Sequence, residues 1–183
     1  MRLTIGITHL LPEWEIIIQQ IGLSFEIIFP RRPLLRDQFS VIIVAERGTK
    51  PQKDILIQYL DSGGSILTEA NVAEWLFNID TVPSFVHTIE ADGDPIFNGV
   101  LSGFIQTKLI IPQKADILES GSGMKLAQIH TSGKGTAIIL PGGLISKILN
   151  HEVKRRNFTT RALHLPSERV ARISKHTIRE IVQ

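Results

Sequence analysis

Polar side chains follow three of the apolar runs that the sequence predicts to be strands. They are Thr8 and His9 after the first run, Glu46 and Arg47 after the central run, and Glu69 and Asn71 after a third. Ligands of open α/β sheets bind beyond the carboxyl ends of the strands, so we expect these residues to line a ligand site. His9 with Glu46 or Glu69 would make an acid–base pair. The alternative, which we favour, is a hydrogen-bonded rim without catalysis.

Nucleophiles are scarce in this chain. It has no cysteine, which excludes disulfides, zinc–thiolate sites, iron–sulfur clusters and thiol catalysis. Ser65 and Thr68 carry hydroxyl groups near the third strand, but no Gly-x-Ser-x-Gly elbow frames either of them. We therefore expect no hydroxyl nucleophile, and we expect no cofactor.

Two other groups of residues resemble ligand sites only superficially. The first is a polar cluster around a predicted turn: His87, Glu90, Asp92 and Asp94. Positions 87 and 90 fall on opposite faces of a strand, and the aspartates suit a turn, so we expect no metal there. The second comprises Gly121-Ser122-Gly123 and Gly133-Lys134-Gly135-Thr136, which precede strands, whereas a phosphate loop opens a helix.

Hydrophobic periodicity predicts the elements that position these residues. The expected strands are residues 2–8, 24–29, 39–45, 65–68, 85–90, 104–111, 124–130 and 136–140. The expected helices are residues 12–22, 51–62, 71–77 and 144–150. The first half reads βαβαβα, which indicates a doubly wound, mainly parallel α/β sheet with helices on both faces. Ala91-Asp92-Gly93-Asp94, between the runs Phe85–Glu90 and Ile96–Phe97, predicts a β-hairpin insertion in the second half.

Charge is distributed unevenly along the 183 residues. Residues 1–145 carry 11 Lys and Arg against 15 Asp and Glu, whereas residues 146–183 carry 9 against 3. The body is thus net −4 and the C-terminal segment net +6, which together give the formal +2 of the chain. A basic tail on an acidic body indicates a docking segment or a nucleic-acid arm. Aromatic residues are few in the tail, so we favour docking and do not expect nucleic-acid binding.

Several motifs resemble one family. The quoted pieces are Val41-Ile42-Ile43-Val44, Tyr59-Leu60-Asp61-Ser62-Gly63-Gly64, the strand-to-helix elbow at Ala70, and Gly133-Lys134-Gly135-Thr136 with the adjoining strand to Pro141. Residues 1–143 carrying them are similar to class I glutamine amidotransferase-like domains, and the two glycine pieces also resemble trehalose-utilisation-type members. The resemblance implies a flavodoxin-like fold. It also places the family's cysteine nucleophile at Ala70, which implies that this chain is silent as an amidotransferase.

The C-terminal segment resembles a narrower group. Lys154-Arg155-Arg156-Asn157-Phe158 and Ser167 through Lys175 look like the segment that joins an amidotransferase-like domain to a polysaccharide deacetylase domain in some bacterial proteins. The metal-binding motifs of the deacetylase are absent. The resemblance implies an amidotransferase-like domain at 1–150 and a basic linker and helical tail at 151–183, leading to a following domain.

These observations predict an accessory or interaction module of a carbohydrate-modifying protein. Its partner would be a following domain or subunit bound through the tail, and its ligand a small molecule or carbohydrate. The alternative is a small-molecule hydrolase or lyase that uses His9 and Glu69. No apolar run approaches the roughly 20 residues that span a bilayer, and the N-terminus lacks a signal-peptide pattern, so we expect the cytoplasm.

Truncation after Asn150 tests the tail. We expect lower thermal stability, because burial of Val170, Ile173 and Ile178 would contribute about 1.5–3 kcal/mol for each large aliphatic side chain. We expect no binding in a DNA or RNA titration of the full chain. Salt-sensitive binding that disappears on truncation would contradict the docking interpretation.

Overall fold

The computed structural model describes residues 4–90 and 103–147. The strands are β1 (Thr4–Ile7), β2 (Ser24–Ile27), β3 (Val41–Val44), β4 (Ser65–Glu69), β5 (Thr81–Glu90), β6 (Gly103–Pro112), β7 (Ile117–Ser120), β8 (Lys125–Ser132) and β9 (Gly135–Leu140). The helices are α1 (Pro12–Ile21), α2 (Lys50–Asp61) and α3 (Ala70–Phe77). Residues 144–147 begin a further helical segment.

The nine strands form one mixed sheet in the order β2-β1-β3-β4-β9-β8-β7-β5-β6. From β2 to β9 the neighbours are parallel, and from β9 to β6 they are antiparallel. The α/β class is confirmed. The mainly parallel, doubly wound arrangement is not, because half of the strand pairings are antiparallel.

The parallel half is built around β3, whose four residues are all buried. Val41 and Ile43 belong to the core cluster that contains Trp14 of α1. Ile42 and Val44 point to the other face and join the cluster that contains α2 and α3. Alternation along one strand therefore supplies both cores, with about 1.5–3 kcal/mol from each large buried side chain.

The antiparallel half was only partly predicted. β5 pairs with β6 in an antiparallel ladder. The hairpin predicted around Asp92 and Asp94, with its second strand at residues 96–97, falls in the segment 91–102, which lies outside the described residues and so stays a prediction. β7 was missed because its sequence, Ile-Leu-Glu-Ser, shows neither an apolar run nor an alternation of apolar and polar residues. β5 begins four residues earlier than expected, at Thr81, and includes Pro83. Its first half is hydrogen-bonded to β6 alone, and a proline is tolerated on such an open edge.

The tail lies outside the described residues. The helix predicted at 144–150 begins at Leu144 as expected, and its last three residues belong to the undescribed segment 148–183. The predicted boundary at residue 150 and the docking of the tail therefore stay predictions.

The two glycine motifs meet at the end of α2. Gly63 has a φ of 104°, which turns the chain from α2 into β4. Lys134 N donates to the carbonyl oxygen of Asp61 at 3.1 Å, and the Ser132 hydroxyl donates to the Asp61 carboxylate. A Cβ at residue 135 would overlap the carbonyl oxygen of Leu60. The motifs thus allow close packing of α2 against β4 and β9, at the edge of the sheet opposite the predicted site.

Gly135→Ala should lower the free energy of unfolding by about 2–3 kcal/mol, because the new methyl group meets rigid backbone. Urea denaturation measures the change. The matched control is Thr136→Ala, next to it on an exposed position of β9, which should change the stability by less than about 0.5 kcal/mol. Equal effects of the two variants would contradict the packing role of the motif.

Candidate functional site

Thr8 and His9 lie at the carboxyl end of β1. Thr8 is buried, and its Oγ1 accepts a hydrogen bond from Ala45 N at 3.3 Å, so its hydroxyl ties β1 to the end of β3. His9 is half-buried, and its Nδ1 is shielded from solvent without a hydrogen-bond partner among the described residues. An unpaired buried ring nitrogen is unfavourable, so His9 can take a further hydrogen-bond partner.

Glu46 and Arg47 follow β3 and are both exposed. The Arg47 guanidinium donates to the carbonyl oxygen of Asn71 at 3.0 and 2.7 Å and forms an ion pair with Glu74 at 2.5 Å. These contacts fasten the loop after β3 to the first turn of α3. An exposed ion pair contributes little to stability, so the role of Arg47 here is to position the loop.

His9 and Glu46 share a pocket of only about 10 Å³, which Trp75 and Leu56 also line. That volume is roughly what one water molecule needs. No hydrogen bond joins the two side chains in the described part of the chain. The structure therefore brings this pair together without giving it room for a substrate.

Glu69 ends β4 and is half-buried. Its Oε1 accepts a hydrogen bond from the backbone N–H of Ile145 at 2.9 Å, at the start of the helical segment that follows β9. Burial raises the pKa of Glu69 to about 7, although hydrogen bonds from the backbone at 143–145 lower it. The nearby carboxylate of Glu13 raises the pKa further. Glu69 thus holds together the ends of β4 and β9.

Ala70 lies at the strand-to-helix junction, as predicted. It is the first residue of α3, at the carboxyl edge of the parallel strands, and its exposure is 0%. It does not belong to the residues with positive φ, so the junction lacks the strain of a nucleophile elbow. Ala73 and Ile139 pack around it. A side chain at this position faces packed apolar atoms.

The antiparallel half of the sheet covers this junction. Ile110 of β6 and Gly142 exchange two backbone hydrogen bonds, of 3.0 and 2.7 Å, and Ile110 packs against the Ala70 cluster. Asn71 of α3 lies against Gly142, because a Cβ on residue 142 would come within 2.9 Å of Asn71 Oδ1. This oxygen is buried without a hydrogen-bond partner among the described residues. β6 thus closes the space above the elbow.

The remaining candidates have structural environments. Thr68 is buried and donates to the carbonyl oxygen of Val44 at 2.8 Å, and Ser65 begins β4 at the opposite edge of the sheet. His87 is exposed, with its ring edge against Phe85 at 4.9 Å. Within residues 4–90 and 103–147, no three His, Asp or Glu side chains converge as metal ligands would.

A larger cleft, which the sequence did not predict, lies beyond the end of α3. Its volume is about 270 Å³, and its lining comes from α3, the α3–β5 connection, the turn after β6, and β8. The ring of His130 stacks on Phe77 with centroids 4.4 Å apart, and burial lowers the pKa of His130. Because residues from three separate stretches of the chain form the lining, no local motif could have indicated it.

Known proteins resemble this chain in fold rather than in sequence. No protein-family model and no curated protein matches the sequence. An exo-β-1,4-mannosidase from Opitutaceae bacterium strain TAV5 matches with a TM-score of 0.61 at 14% identity, over 94% of this chain. This chain covers only 35% of the mannosidase and 31% of a similar β-galactosidase from Bacillus circulans.

Two further solved structures match over most of their own length. A putative ThuA-like protein from Bacteroides uniformis has a TM-score of 0.52 at 15% identity, covering 77% of this chain and 83% of that one. PurLQS from Thermotoga maritima has a TM-score of 0.54 at 10% identity, covering 98% and 99%. These matches support an amidotransferase-like α/β fold and give no support to the deacetylase resemblance. In the described residues, no helix is long and apolar enough to cross a membrane.

The raised pKa of Glu69 predicts a pH-dependent stability. The folded state holds a proton on Glu69 up to about pH 7, whereas the unfolded chain releases it near 4.5. The wild type should therefore lose stability relative to Glu69→Gln as the pH rises from about 4.5 to 7, by up to about 3 kcal/mol, and no more above that. Urea denaturation at pH 4.5, 6 and 8 measures this difference. If the stability difference between the wild type and Glu69→Gln is the same at all three pH values, the raised pKa is wrong. Glu46→Gln, at an exposed position, is the control for the loss of one carboxylate.

Proposed function

We propose that this chain is a catalytically silent, flavodoxin-like member of the amidotransferase-like fold that serves as an accessory or interaction module. The observation that carries the proposal is the burial of Ala70 beneath β6. A covalent mechanism needs a nucleophile within reach of a base, with space for the reacting carbonyl group. Position 70 offers neither a nucleophilic atom nor an open face.

The electrostatics of the same edge support a structural role. Glu69 is engaged with the backbone at 143–145, and Arg47 is engaged with the first turn of α3. Each of these two charged groups, which could have acted on a substrate, is held in a contact that joins two elements of the fold. Their contacts thus account for the architecture of this edge without any reaction.

A carbohydrate-modifying protein is the setting that we propose for the module. The exo-β-1,4-mannosidase and the β-galactosidase share the fold over about a third of their own chains, which shows that it occurs within larger glycosidases. The basic segment 146–183 would join the module to a following domain or subunit. The proposal that this domain is a deacetylase rests on the sequence resemblance alone. The proposed cytoplasmic location likewise rests on the sequence alone.

A small-molecule hydrolase or lyase is the second candidate, and two observations favour it. The buried Nδ1 of His9 lacks a partner among the described residues, and a carboxyl group with a pKa of about 7 suits proton transfer near neutral pH. Two observations weigh against it: the pocket beside His9 holds about 10 Å³, and Glu69 is bonded to Ile145.

A single cysteine tests the silent-module proposal. The chain has none, so Ala70→Cys supplies a thiol that a labelling reagent reads without background. We expect labelling under native conditions at least about 100-fold slower than in urea, because reagent reaches the buried position only when the structure opens. We expect no ammonia release from glutamine by the wild type or by this variant.

Thr136→Cys is the matched control, since it places a thiol on an exposed position of the adjacent strand β9. It should react at a similar rate with and without urea. Rapid native labelling at position 70 would show that the elbow is open, and sustained glutaminase turnover by the wild type would refute the proposal outright.

A further inference from the structure

The cleft beyond α3 is a second site, separate from the elbow. It lies on the side of the sheet that α3 covers, where Phe77 ends the helix and His130 projects from β8. Ala70, Glu69 and His9 do not line it. Binding in this cleft is therefore independent of whether the elbow is catalytically silent.

The lining divides into an uncharged interior and a charged rim. The half-buried residues are Phe77, Ile79, Gln128 and His130. The exposed residues at the mouth are Asn78, Asp80, Gln113 and Lys114, and the two opposite charges among them leave the rim formally neutral. A charged group placed in the interior would exchange its water for side chains that carry no compensating charge, which is costly.

The polar groups of the interior can both donate and accept hydrogen bonds. An amide such as Gln128 does so through its two ends, and a neutral imidazole does so through its two nitrogens. Burial lowers the pKa of His130 and so favours the neutral ring. A hydroxyl group also donates and accepts, and Phe77 and Ile79 provide apolar surface for the C–H groups between hydroxyls.

The walls of the cleft are fixed by contacts that do not involve a ligand. Gln113 N donates to the carbonyl oxygen of Asp80 at 2.9 Å, which ties the turn after β6 to the start of β5. Lys53 Nζ donates to Asn78 Oδ1 at 2.8 Å and so holds the residue that follows α3. A preformed cleft of about 270 Å³ is slightly smaller than the range that suits drug-sized ligands.

We propose that this cleft binds a small, neutral, polyhydroxylated ligand of the size of one monosaccharide unit. His130 and Gln128 form hydrogen bonds with its hydroxyl groups, and Phe77 contacts its C–H face. The unit is either a free sugar or the end of a glycan chain, because both present the same chemistry to an open cleft.

Nuclear magnetic resonance titration of the full chain tests the proposal. The probes are the methyl glycosides of D-glucose, D-mannose and D-galactose, with glucuronate and glucosamine as charged counterparts. We expect at least one neutral glycoside to bind with a Kd on the order of 1 mM, ordinary for so small a ligand. The charged counterparts should bind at least about tenfold more weakly. A matching disaccharide that binds more tightly than the glycoside identifies a glycan end, and equal affinity identifies a free sugar.

Two variants assign the binding to the cleft. His130→Ala and Gln128→Glu should each weaken the glycoside by at least about tenfold, the second by placing a charge in the uncharged interior. Their matched controls are His87→Ala and Gln38→Ala at exposed positions outside the cleft, which should leave the affinity unchanged. A melting temperature confirms that each variant is folded.

The proposal is overturned if no neutral glycoside binds at concentrations on the order of 50 mM, or if binding survives both cleft variants. It is also overturned if glucuronate or glucosamine binds more tightly than every neutral probe. Failure of the cleft proposal would not affect the glutaminase and thiol-labelling tests of the silent module. Turnover of glutamine would refute the silent module, and the glycoside titration would still test the cleft.

Discussion

Backbone pairing between Ile110 and Gly142 holds the antiparallel half of the sheet over the end of the parallel half, in addition to the edge-to-edge pairing of β8 with β9. Its hydrogen bonds of 3.0 and 2.7 Å fix β6 above the end of β9, and the approach is possible because residue 142 has no side chain. A Cβ there would come within 3.0 Å of the Cβ of Ile110. The bridge thereby covers Ala70. It also helps to position the backbone at 143–145, where Ile145 N donates a hydrogen bond to the Glu69 carboxylate.

The carboxyl edge of the parallel strands is thus occupied by the fold itself. In an open α/β sheet this edge is where ligands bind. Here the antiparallel half folds over it, the half-buried Glu69 is hydrogen-bonded to the backbone N–H of Ile145, and a pocket of about 10 Å³ lies beside His9. The same antiparallel strands that close this edge create a larger cleft elsewhere, because β8 and the turn after β6 extend past the end of α3. The closed edge and the larger cleft thus both depend on the antiparallel half of the sheet.

This arrangement separates fold from chemistry. The exo-β-1,4-mannosidase, the ThuA-like protein and PurLQS share the fold at 10–15% identity, so the fold by itself assigns no reaction. Function has to be argued from particular side chains, and in this chain the side chains of the elbow are structural. Gln128 and His130, by contrast, place half-buried polar groups in a cleft of about 270 Å³, which has room for a small ligand.

Local patterns were enough to predict the parallel half. Three short-range features were readable from the sequence because they depend on burial and backbone geometry: the buried run at β3, the helical periodicity of α1 and α2, and the junction at Ala70. The absence of cysteine from the sequence also excluded thiol catalysis. Tertiary structure alone decided that the sheet is mixed, that β7 exists, that Glu69 bonds to Ile145 and that a cleft forms beside His130. Each of these depends on contacts between residues far apart in the chain, such as Ile110 with Gly142, and such contacts leave no periodic signal in the sequence.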